Sequence, residues 1–517
     1  MTGMTPRRVT LWSALVGMLA GLVTLAIAEA IAAIMVLPSG SPLFGVGSFV
    51  IDIVPGWFKT FVIAVFGTGD KIALFVALGI LVLVLAVGIG ILQYRRSPWG
   101  LVALAAVGVV AILAVVTRAE SNALSSIPTL VGVVGGAIVL RIGTDRLHRW
   151  TAAVASGPER AAVTRRGFLV MFGATTAGAV VVGLGARAMN AGTTAVNTVR
   201  EALKLPAPTT PMAPVPAGAS LGIPGITSLI SSNETFYRID TALQVPVIDA
   251  DTWKLKVTGM VEREVEISFA ELLALPLTEH MVTLMCVSNE VGGNLVGNAT
   301  WLGYPIRELL RQAGPLAGAD MVLSTSIDGF TAGTPLDVLL EEDRQSLLAV
   351  GMNGVPLPIE HGFPVRMVVP GLYGYVSATK WVVELTVTTF ADDMGYWTPR
   401  GWSALGPVKT ASRIDVLRTP DVPGGPVAVG GVAWAQHRGI ERVEVRIDDG
   451  AWHEATLADA VSTDTWRQWV YEWDAPSGNH LVAVRATDAN GDTQGETRVP
   501  PAPNGSEGYH TVSVTIP

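Results

Sequence analysis

The chain has 517 residues, half of them hydrophobic and 15% charged, and its mean hydropathy of +0.46 argues against an ordinary cytosolic globular protein. The net charge of −8 is unevenly divided. Residues 1–200 hold 15 Lys and Arg against 6 Asp and Glu, a net +9, whereas residues 201–517 hold 20 against 37, a net −17. The net negative charge of residues 201–517 argues against nucleic-acid binding, because this part of the chain has no excess of basic side chains to contact phosphates.

Five stretches are long and apolar enough to cross a membrane as helices, which requires about 20 residues each. They cover residues 9–37, 71–94, 99–116, 127–140 with its flanks, and 167–189. Residues 48–67 are also apolar but contain charged residues and proline. We expect this segment to be an interfacial or re-entrant piece instead of a full span, with Trp57 and Phe58 at the level of the lipid headgroups. Residues 1–200 are therefore predicted to form an all-α transmembrane region.

Arginines mark alternate connections between the five spans. The pairs Arg7-Arg8 and Arg95-Arg96 and a run from Arg141 to Arg166 fall in every second connection. Because cytoplasmic loops carry an excess of Lys and Arg, this pattern places the N-terminus in the cytoplasm. It predicts a multi-pass protein of the cytoplasmic membrane with everything after residue 189 outside the cell interior.

The segment Thr164-Arg165-Arg166-Gly167-Phe168-Leu169 precedes the last span and resembles the twin-arginine export motif. That motif directs export of proteins that have already folded, typically around a cofactor. A positive flank of an ordinary span is the alternative explanation. We favour the export motif, although four spans precede it.

The spans offer few groups for electron or proton transfer. His148 is the only histidine before residue 280, and the predicted topology places it in a cytoplasmic loop. A haem held by two histidines inside the bundle is therefore not expected, and Glu29 alone does not make a proton pathway. The region is interpreted as an anchor or docking surface.

The rest of the chain divides by composition. Prolines concentrate between residues 205 and 224, and residues 201–229 are predicted to be an extended linker. Residues 230–412 mix strand and helix patterns, including the alternating strand 253–257 and a helix over 268–275 with Ser268 as N-cap and Glu271 three residues on. Short strands separated by turns, including Asp448-Asp449-Gly450, predict an immunoglobulin-like β-sandwich over residues 413–517.

The single cysteine limits the chemistry available. One cysteine excludes an intramolecular disulfide, a CxxC zinc site and a cysteine-held iron–sulfur cluster. Cys286 lies at the end of the apolar segment 282–287, where a metal ligand, a nucleophile or a buried structural thiol can occur. The spacing alone favours the structural thiol, because no basic partner is close in sequence.

A second constellation contains three cations framed by glycine and proline. His361 begins the segment His-Gly-Phe-Pro-Val-Arg that contains Arg366, and Lys380 closes a Ser-Ala-Thr-Lys segment that begins at Ser377. Cations held at strand ends are suited to an anionic, phosphate-bearing ligand. The alternative is a solvated strand edge.

These two segments, with the motifs at 301–306 and 354–358, resemble the sulfite oxidase family of molybdopterin-dependent oxidoreductases over about residues 230–517. The resemblance implies an α+β molybdopterin-binding domain followed by a sandwich of the family's dimerisation type. It implies that Cys286 is the protein's ligand to a molybdenum that also binds one pterin dithiolene. A homodimer is also implied.

The resemblance further implies a set of site residues. The segment 233–238 resembles the family's entry segment, which contacts the cofactor, and Tyr396 is the candidate for an active-site tyrosine. The implied cofactor contacts are Asn233, Tyr237, Arg238, Thr325, His361, Arg366, Ser377 and Lys380.

Two departures from the family's pattern concern the substrate. Glu290 follows Asn289 at a position where sulfite oxidases have an arginine. Asp240 lies at a position where the entry segment of sulfite oxidases has a second arginine. A unit charge about 4 Å away is worth several kcal/mol in a partly desolvated site, so these carboxylates would repel sulfite. Arg413 and Arg467 are the candidates to restore positive charge.

The resulting expectation is a membrane-anchored molybdenum oxidoreductase that carries out oxygen-atom transfer or related two-electron chemistry on a small molecule other than sulfite. An external cytochrome or a quinone-linked partner is expected to exchange electrons with it. One alternative is a sulfoxide reductase of the periplasmic methionine sulfoxide reductase type. Another, from a different class, is a cofactor-free binding or assembly module.

Overall fold

The computed structural model describes residues 5–35, 41–55, 58, 61–62, 65–66, 70–117, 123–156, 158–188, 199–243, 245–417 and 425–516. The chain forms two compact units. The first comprises residues 1–195 with 242–246, and the second comprises residues 196–241 with 247–517. Each unit is described separately.

The first unit is helical throughout its described elements. Its α-helices are α1 (Pro6–Ile34), α2 (Pro42–Ile53), α3 (Asp70–Arg95), α4 (Trp99–Val116), α5 (Ile127–Ser156) and α6 (Pro158–Ala188). All of these except α2 are long and apolar enough to span a membrane, which confirms five apolar helices close to the predicted spans. Trp57 and Met189 lie outside the described residues, and Phe58 is 41% exposed.

The arginine-rich segment differs from the prediction, because it is helical instead of a loop. α5 continues past residue 140 to Ser156, and α6 begins at Pro158, ahead of the two adjacent arginines. Leu147 and Phe168 are fully buried in a cluster with Trp150, which explains why both helices extend. His148, predicted to lie in a loop, is within α5, and its ring stacks on Tyr94 at a centroid distance of 4.0 Å.

Small residues allow the helices of the first unit to approach closely. A Cβ added to Gly17 on α1 would lie 2.7 Å from Gly90 Cα on α3, and one added to Gly132 on α5 would lie 3.0 Å from Ala28 Cβ on α1. Larger side chains at these glycines would separate the backbones. This is the small-residue packing that membrane helices use when lipid provides no hydrophobic driving force.

The second unit contains four sheets. The strands in chain order are β1 (Lys254–Gly259), β2 (Val265–Ser268), β3 (Thr278–Met285), β4 (Val296–Pro305), β5 (Met321–Ser326), β6 (Thr331–Pro335), β7 (Leu347–Met352), β8 (Val355–Pro356), β9 (Arg366–Val368), β10 (Val382–Thr388), β11 (Ala411–Ile414), β12 (Gly425–Trp434), β13 (Ile440–Ile447), β14 (Trp452–Glu454), β15 (Thr456–Leu457), β16 (Arg467–Ala475), β17 (Gly478–Asp488) and β18 (His510–Ile516). The helices are α7 (Phe269–Ala274), α8 (Ile306–Ala313), α9 (Leu336–Leu340) and α10 (Gly374–Ser377).

Two five-stranded sheets carry the α+β part. One has the order β2-β1-β10-β5-β6, with β1 and β10 parallel. The other runs β3-β4-β7-β8, with β9 also paired to β7. Local patterns set the elements as predicted: β1 alternates exposed and buried residues, and Ser268 and Glu271 form a capping box at the start of α7. Cys286 directly follows β3, Arg366 begins β9, and Lys380 lies just before β10. These predicted site residues therefore lie at the ends of strands from both sheets.

Within residues 411–417 and 425–516, eight strands form two four-stranded antiparallel sheets, ordered β11-β12-β16-β15 and β14-β13-β17-β18. Their core includes fully buried Val443, Trp469 and Val484, which come from both sheets. The predicted turn at Asp448 joins β13 to β14, and Asp448 has φ 52°, a conformation that Asp tolerates in tight turns. The immunoglobulin-like class of this part stays a prediction.

The proline-rich segment, predicted as an extended linker, contains a 3-10 turn at Ala217–Ala219 and is hydrogen-bonded along the second unit. Thr209 N donates to Leu277 O at 2.8 Å, and Leu221 N donates to Gln468 Oε1 at 2.7 Å. Ala219 is 1% exposed. These contacts fix a segment whose composition alone suggested a free spacer.

Candidate functional site

The loop that joins β3 to β4 holds Cys286 in a fixed position. Cys286 N donates to Leu295 O at 2.9 Å, and Asn289 N donates to Cys286 O at 3.0 Å. The buried amide of Asn289 accepts from Leu295 N at 2.7 Å and closes the loop across its base. The thiol is therefore positioned by backbone bonds on both sides of the loop.

The Cys286 thiol lies in apolar surroundings beside two tyrosines. Its side chain is 9% exposed, and burial raises the pKa of the thiol despite hydrogen bonds with Ser288. Burial also raises the pKa of the Tyr237 phenol, and a charge on Cys286 would raise it further while Arg366 lowers it. Burial raises the pKa of Tyr373 to about 12, with Cys286 again contributing. Tyr237 thus connects the thiol electrostatically to the cationic side of the site.

His361 and Arg366 form the first part of the cationic side. Nε2 of His361 lies 2.9 Å from the carbonyl oxygen of Asn233, and Arg366 Nη1 donates to His361 O at 3.2 Å. Phe236 packs edge-on against His361 at 5.6 Å, and the Arg366 guanidinium lies 5.0 Å from the ring centroid of Trp301. Burial lowers the pKa of His361, so it is neutral at pH 7, and lowers that of Arg366 to about 10, which leaves it charged.

Lys380 and Arg238 form the second part, with a carboxylate between them. Asp240 is ion-paired to Lys380 and also accepts from Arg238 Nε at 2.6 Å. The Asp240 side chain is 1% exposed, that of Lys380 11% and that of Arg238 42%. Lys380 Nζ also donates to Glu360 O at 3.1 Å. Asp240 was predicted to repel an anionic substrate, but in the structure two cations neutralise it.

Gly362 is required at the junction of these two parts. Its φ of 111° lies in the region that residues with a Cβ rarely adopt. A Cβ at this position would lie 3.0 Å from Arg366 Cβ and 3.2 Å from Lys380 Cβ. The absence of a side chain at Gly362 therefore allows Arg366 and Lys380 to pack closely against the backbone at this position.

The charged side chains of these two parts, Arg238, Asp240, Arg366 and Lys380, are called the cationic frame, which carries a net charge of +2. Arg238, Arg366 and Lys380 supply three positive charges, Asp240 supplies one negative charge, and neutral His361 adds none. Two of the donors of Arg366 bond to the carbonyl oxygens of residues 361 and 367, and these bonds leave its Nη2 for a ligand. A buried thiol, a net +2 frame and neighbouring aromatic rings fit a group that combines a soft metal with an anionic organic phosphate.

The remaining predicted site residues are Ser377, Thr325 and Tyr396, and their contacts are with other parts of the second unit. Ser377 is fully buried, and its Oγ donates to the carbonyl oxygen of Tyr373 at 2.9 Å. Thr325 lies on β5 between Thr331 and Glu384 of the neighbouring strands. Tyr396 has contacts with Phe330 at 5.9 Å, with Trp397 at 5.2 Å and with the guanidinium of Arg400 at 3.6 Å. The roles of Thr325 and Tyr396 stay predictions.

The cations proposed from sequence to offset the carboxylates are engaged elsewhere. Arg413 pairs with Asp415 at 2.7 Å and donates to Gly293 O at 2.7 Å. Arg467 donates to two backbone carbonyls, those of residues 440 and 458. Glu290 is exposed, unlike its neighbour Asn289. Arg413 therefore supports the loop after Cys286 instead of presenting its charge to a substrate.

Sequence reasoning missed three contributors to the site. A charge on Cys286 contributes to the raised pKa of Tyr373, and Tyr373 belongs to a buried cluster with Met285 and Val287. Trp301 and Phe236 pack against Arg366 and His361. The available signal was their position, since Tyr373 lies between the two cationic motifs and Phe236 is within the entry segment.

Comparison with known proteins defines the class. The family described as "Oxidoreductase molybdopterin binding domain" matches residues 242–397. That range includes Cys286, His361, Arg366 and Lys380 but not the entry segment 233–238. The second unit is therefore built around a molybdopterin-binding oxidoreductase domain.

Individual relatives and one solved structure are similar to about half of this chain. Mitochondrial sulfite oxidase of Homo sapiens is 29% identical over 320 residues, which are 52% of this chain and 58% of the human protein. Nitrate reductase [NADH] 2 of Phaseolus vulgaris is 25% identical over 49% of this chain and 36% of its own length. The sulfane dehydrogenase SoxCD from Paracoccus pantotrophus matches in structure with a TM-score of 0.49 and 21% identity, over 56% of this chain and 82% of that one.

Residues 242–397 match the molybdopterin-binding domain, and the chain is similar to sulfite oxidases, in agreement with the resemblance of its motifs. It also carries N-terminal apolar helices that fit a membrane anchor. The match spans little more than half the length of the human relative, so that protein's activity is not carried over as a whole.

Proposed function

We propose that this protein is a membrane-anchored oxidoreductase whose molybdenum is bound by Cys286 and whose pterin phosphate is bound by the cationic frame. The supporting observation is that the buried phenol of Tyr237 interacts electrostatically with both the Cys286 thiol and the Arg366 guanidinium. Arg366 and Lys380 in turn both pack against Gly362. When bound, the molybdenum cofactor would supply two-electron chemistry, including oxygen-atom transfer. The protein residues would hold and orient this cofactor and neutralise its negative charge.

The protein residues of this site have separable tasks. Lys380, Arg238 and Arg366 provide charge-assisted donors for an anionic group, and Asp240 fixes the first two. His361 stays neutral, and the nitrogen that does not face the carbonyl of Asn233 is left to accept a hydrogen bond. The Cys286 thiol must release its proton to bind a metal, which the raised pKa opposes and metal coordination overcomes.

The surroundings of Cys286 support a substrate other than sulfite. Arg413 and Arg467 are bonded within the protein and do not supply the charges that a sulfite dianion requires. Tyr375 and Trp402 pack against the cluster that contains Met285. An uncharged substrate with an apolar part, such as a thioether or a sulfoxide, suits this environment better than a dianion.

A sulfoxide reductase is therefore the second candidate function, and the aromatic surroundings of Cys286 favour it. The two directions are distinguished by the electron donor. A reductase consumes a small sulfoxide with a reduced dye as the donor, whereas an oxidase reduces the dye when its substrate is added. Sulfite-driven dye reduction at an efficient rate would contradict the proposed substrate class.

The proposal also covers the electron-transfer partner of the site and the side of the membrane on which the catalytic unit lies. Because His148 is the only histidine before residue 280, we propose that an external cytochrome or quinone-linked carrier exchanges electrons with the site. The arginine distribution supports a catalytic unit outside the cytoplasm, and we propose twin-arginine export as the route for its folded form. Fusion of a reporter that is active on one side only, placed after residue 517, would test this orientation.

Metal analysis tests the proposed cofactor. The full chain should purify with close to one molybdenum per protein, Cys286→Ser should lower that content strongly, and Arg366→Met should lower the pterin content. Arg442→Met is the matched control, because Arg442 is 45% exposed and pairs with Glu444 on the C-terminal sheets. A wild-type protein without molybdenum would instead favour a cofactor-free binding module.

A further inference from the structure

A groove with a basic end lies between two helices of the first unit. It is a cavity of about 750 Å³, open on one side, where α5 contributes Arg146 and α6 contributes Arg166, Val170, Met171 and Ala174. The α6 residues recur at intervals of three or four, so they lie on one face of that helix. The groove thus has a charged end and an apolar floor on a single helix face.

The charged end holds two arginines without an acidic partner. Arg146 Nη1 donates to the carbonyl oxygen of Gly167 at 3.0 Å, which fixes its guanidinium beside the groove. Among the described residues of this unit, no acidic side chain forms an ion pair with Arg146 or Arg166. Gly167, which also lines the groove, leaves open space there, because a Cβ at this position would have no heavy atom within 4 Å. Two guanidinium groups that line one groove are suited to a phosphate.

Packing beneath the groove fixes which residues face it. Phe168 is fully buried and contacts Trp12 at 5.5 Å and Trp150 at 5.5 Å between ring centroids. With Phe168 anchored in this core, its neighbour Arg166 and the residues one turn further, Val170 and Met171, are directed to the groove side. The rotation of α6 about its axis is therefore set by the protein, before any ligand binds.

We propose that this groove binds one anionic phospholipid, with its phosphate at Arg146 and Arg166 and an acyl chain along Val170, Met171 and Ala174. Charge complementarity selects the anionic headgroup, and the apolar floor selects a lipid over free phosphate. Basic pockets between membrane helices are suited to anionic lipid headgroups. The site accounts for Arg166 independently of any use of the twin-arginine motif, and it does not depend on the molybdenum site.

Native mass spectrometry of the full chain in detergent tests this proposal. Delipidated protein is titrated with phosphatidylglycerol, with phosphatidylcholine of the same acyl chains, or with inorganic phosphate. Wild type should bind one phosphatidylglycerol at least tenfold more tightly than phosphatidylcholine, and inorganic phosphate should not displace it at equal concentration. The double variant Arg146→Gln with Arg166→Gln should lose that preference.

A matched control removes the same charge from the same helices outside the groove. Arg149 on α5 and Arg165 on α6 are both exposed and do not line the cavity. The double variant Arg149→Gln with Arg165→Gln should keep affinity within about twofold of wild type. Ala174→Trp should weaken binding by filling the apolar floor while both arginines remain. Equal losses in the two double variants, or equal binding of the two lipids by wild type, would overturn the proposal.

Discussion

Replacing Asp240 with asparagine removes the carboxylate that holds two cations of the frame. Asp240 is 1% exposed and ion-paired with Lys380 and Arg238, whose side chains are 11% and 42% exposed. Removing one partner of a buried ion pair costs about 3 to 5 kcal/mol. Because Arg238 can turn to water, we expect the lower end, about 3 kcal/mol.

Thermal unfolding of the full chain in detergent, followed by tryptophan fluorescence, measures this loss. A destabilisation of about 1 kcal/mol lowers the Tm of a large domain by about 2 °C, so Asp240→Asn should lower it by roughly 6 °C. The loss should be smaller in protein loaded with cofactor, because an anionic ligand replaces the missing negative charge.

Glu266→Gln is the matched control for this experiment. Glu266 also pairs with two cations, Lys254 at 2.5 Å and Lys256 at 3.6 Å, but its side chain is 43% exposed. Exposed pairs contribute little to stability, so the Tm should stay close to that of wild type. Equal Tm values for Asp240→Asn and Glu266→Gln would refute the buried-pair account of the frame.

Three further predictions address the thiol, the turn and the pH dependence. Because burial raises the pKa of Cys286, iodoacetamide should modify the cofactor-free folded chain at least tenfold more slowly than the unfolded chain, and equal rates by mass spectrometry would contradict this. Gly362→Ala should cost about 1 to 3 kcal/mol, with a fall in Tm and in bound pterin, since φ is 111° and the new Cβ meets Arg366; an unchanged Tm would refute it. The hydrogen bond that His437 donates to the Asp464 carboxylate raises the pKa of His437 above its ordinary 6.5, so this stabilisation is complete below 6.5 and is lost as pH rises through the folded-state pKa. The Tm should therefore fall as pH rises above about 6.5, and a fall just as steep in His437→Gln would contradict this cause.

Elements set by local patterns were predictable from the sequence. The capping box of Ser268 and Glu271, the alternation of β1 and the turn at Asp448 each depend on residues within a few positions of one another. The motifs around Cys286 and Arg366 likewise indicated the family, because they are contiguous in sequence. The predicted placement of the apolar spans follows from the same kind of local information.

Contacts between distant residues were not predictable in this way. Asp240 pairs with Lys380, 140 positions further along the chain, so its role as a counter-ion could not be separated from repulsion of a substrate. The predicted arginine-rich loop is helical because Leu147 and Phe168 are buried together, a tertiary effect invisible to hydropathy. The proline-rich segment is likewise fixed by bonds to residues such as Gln468.

The sulfur coordination of molybdenum tests the central claim most directly. X-ray absorption spectra of the purified full chain and of the molybdenum that Cys286→Ser retains, each normalised to the molybdenum present, compare the number of sulfur atoms bound per metal. The account predicts one fewer sulfur neighbour in the variant, because the thiolate of Cys286 is the ligand contributed by the protein. Identical sulfur coordination in the two proteins would contradict it.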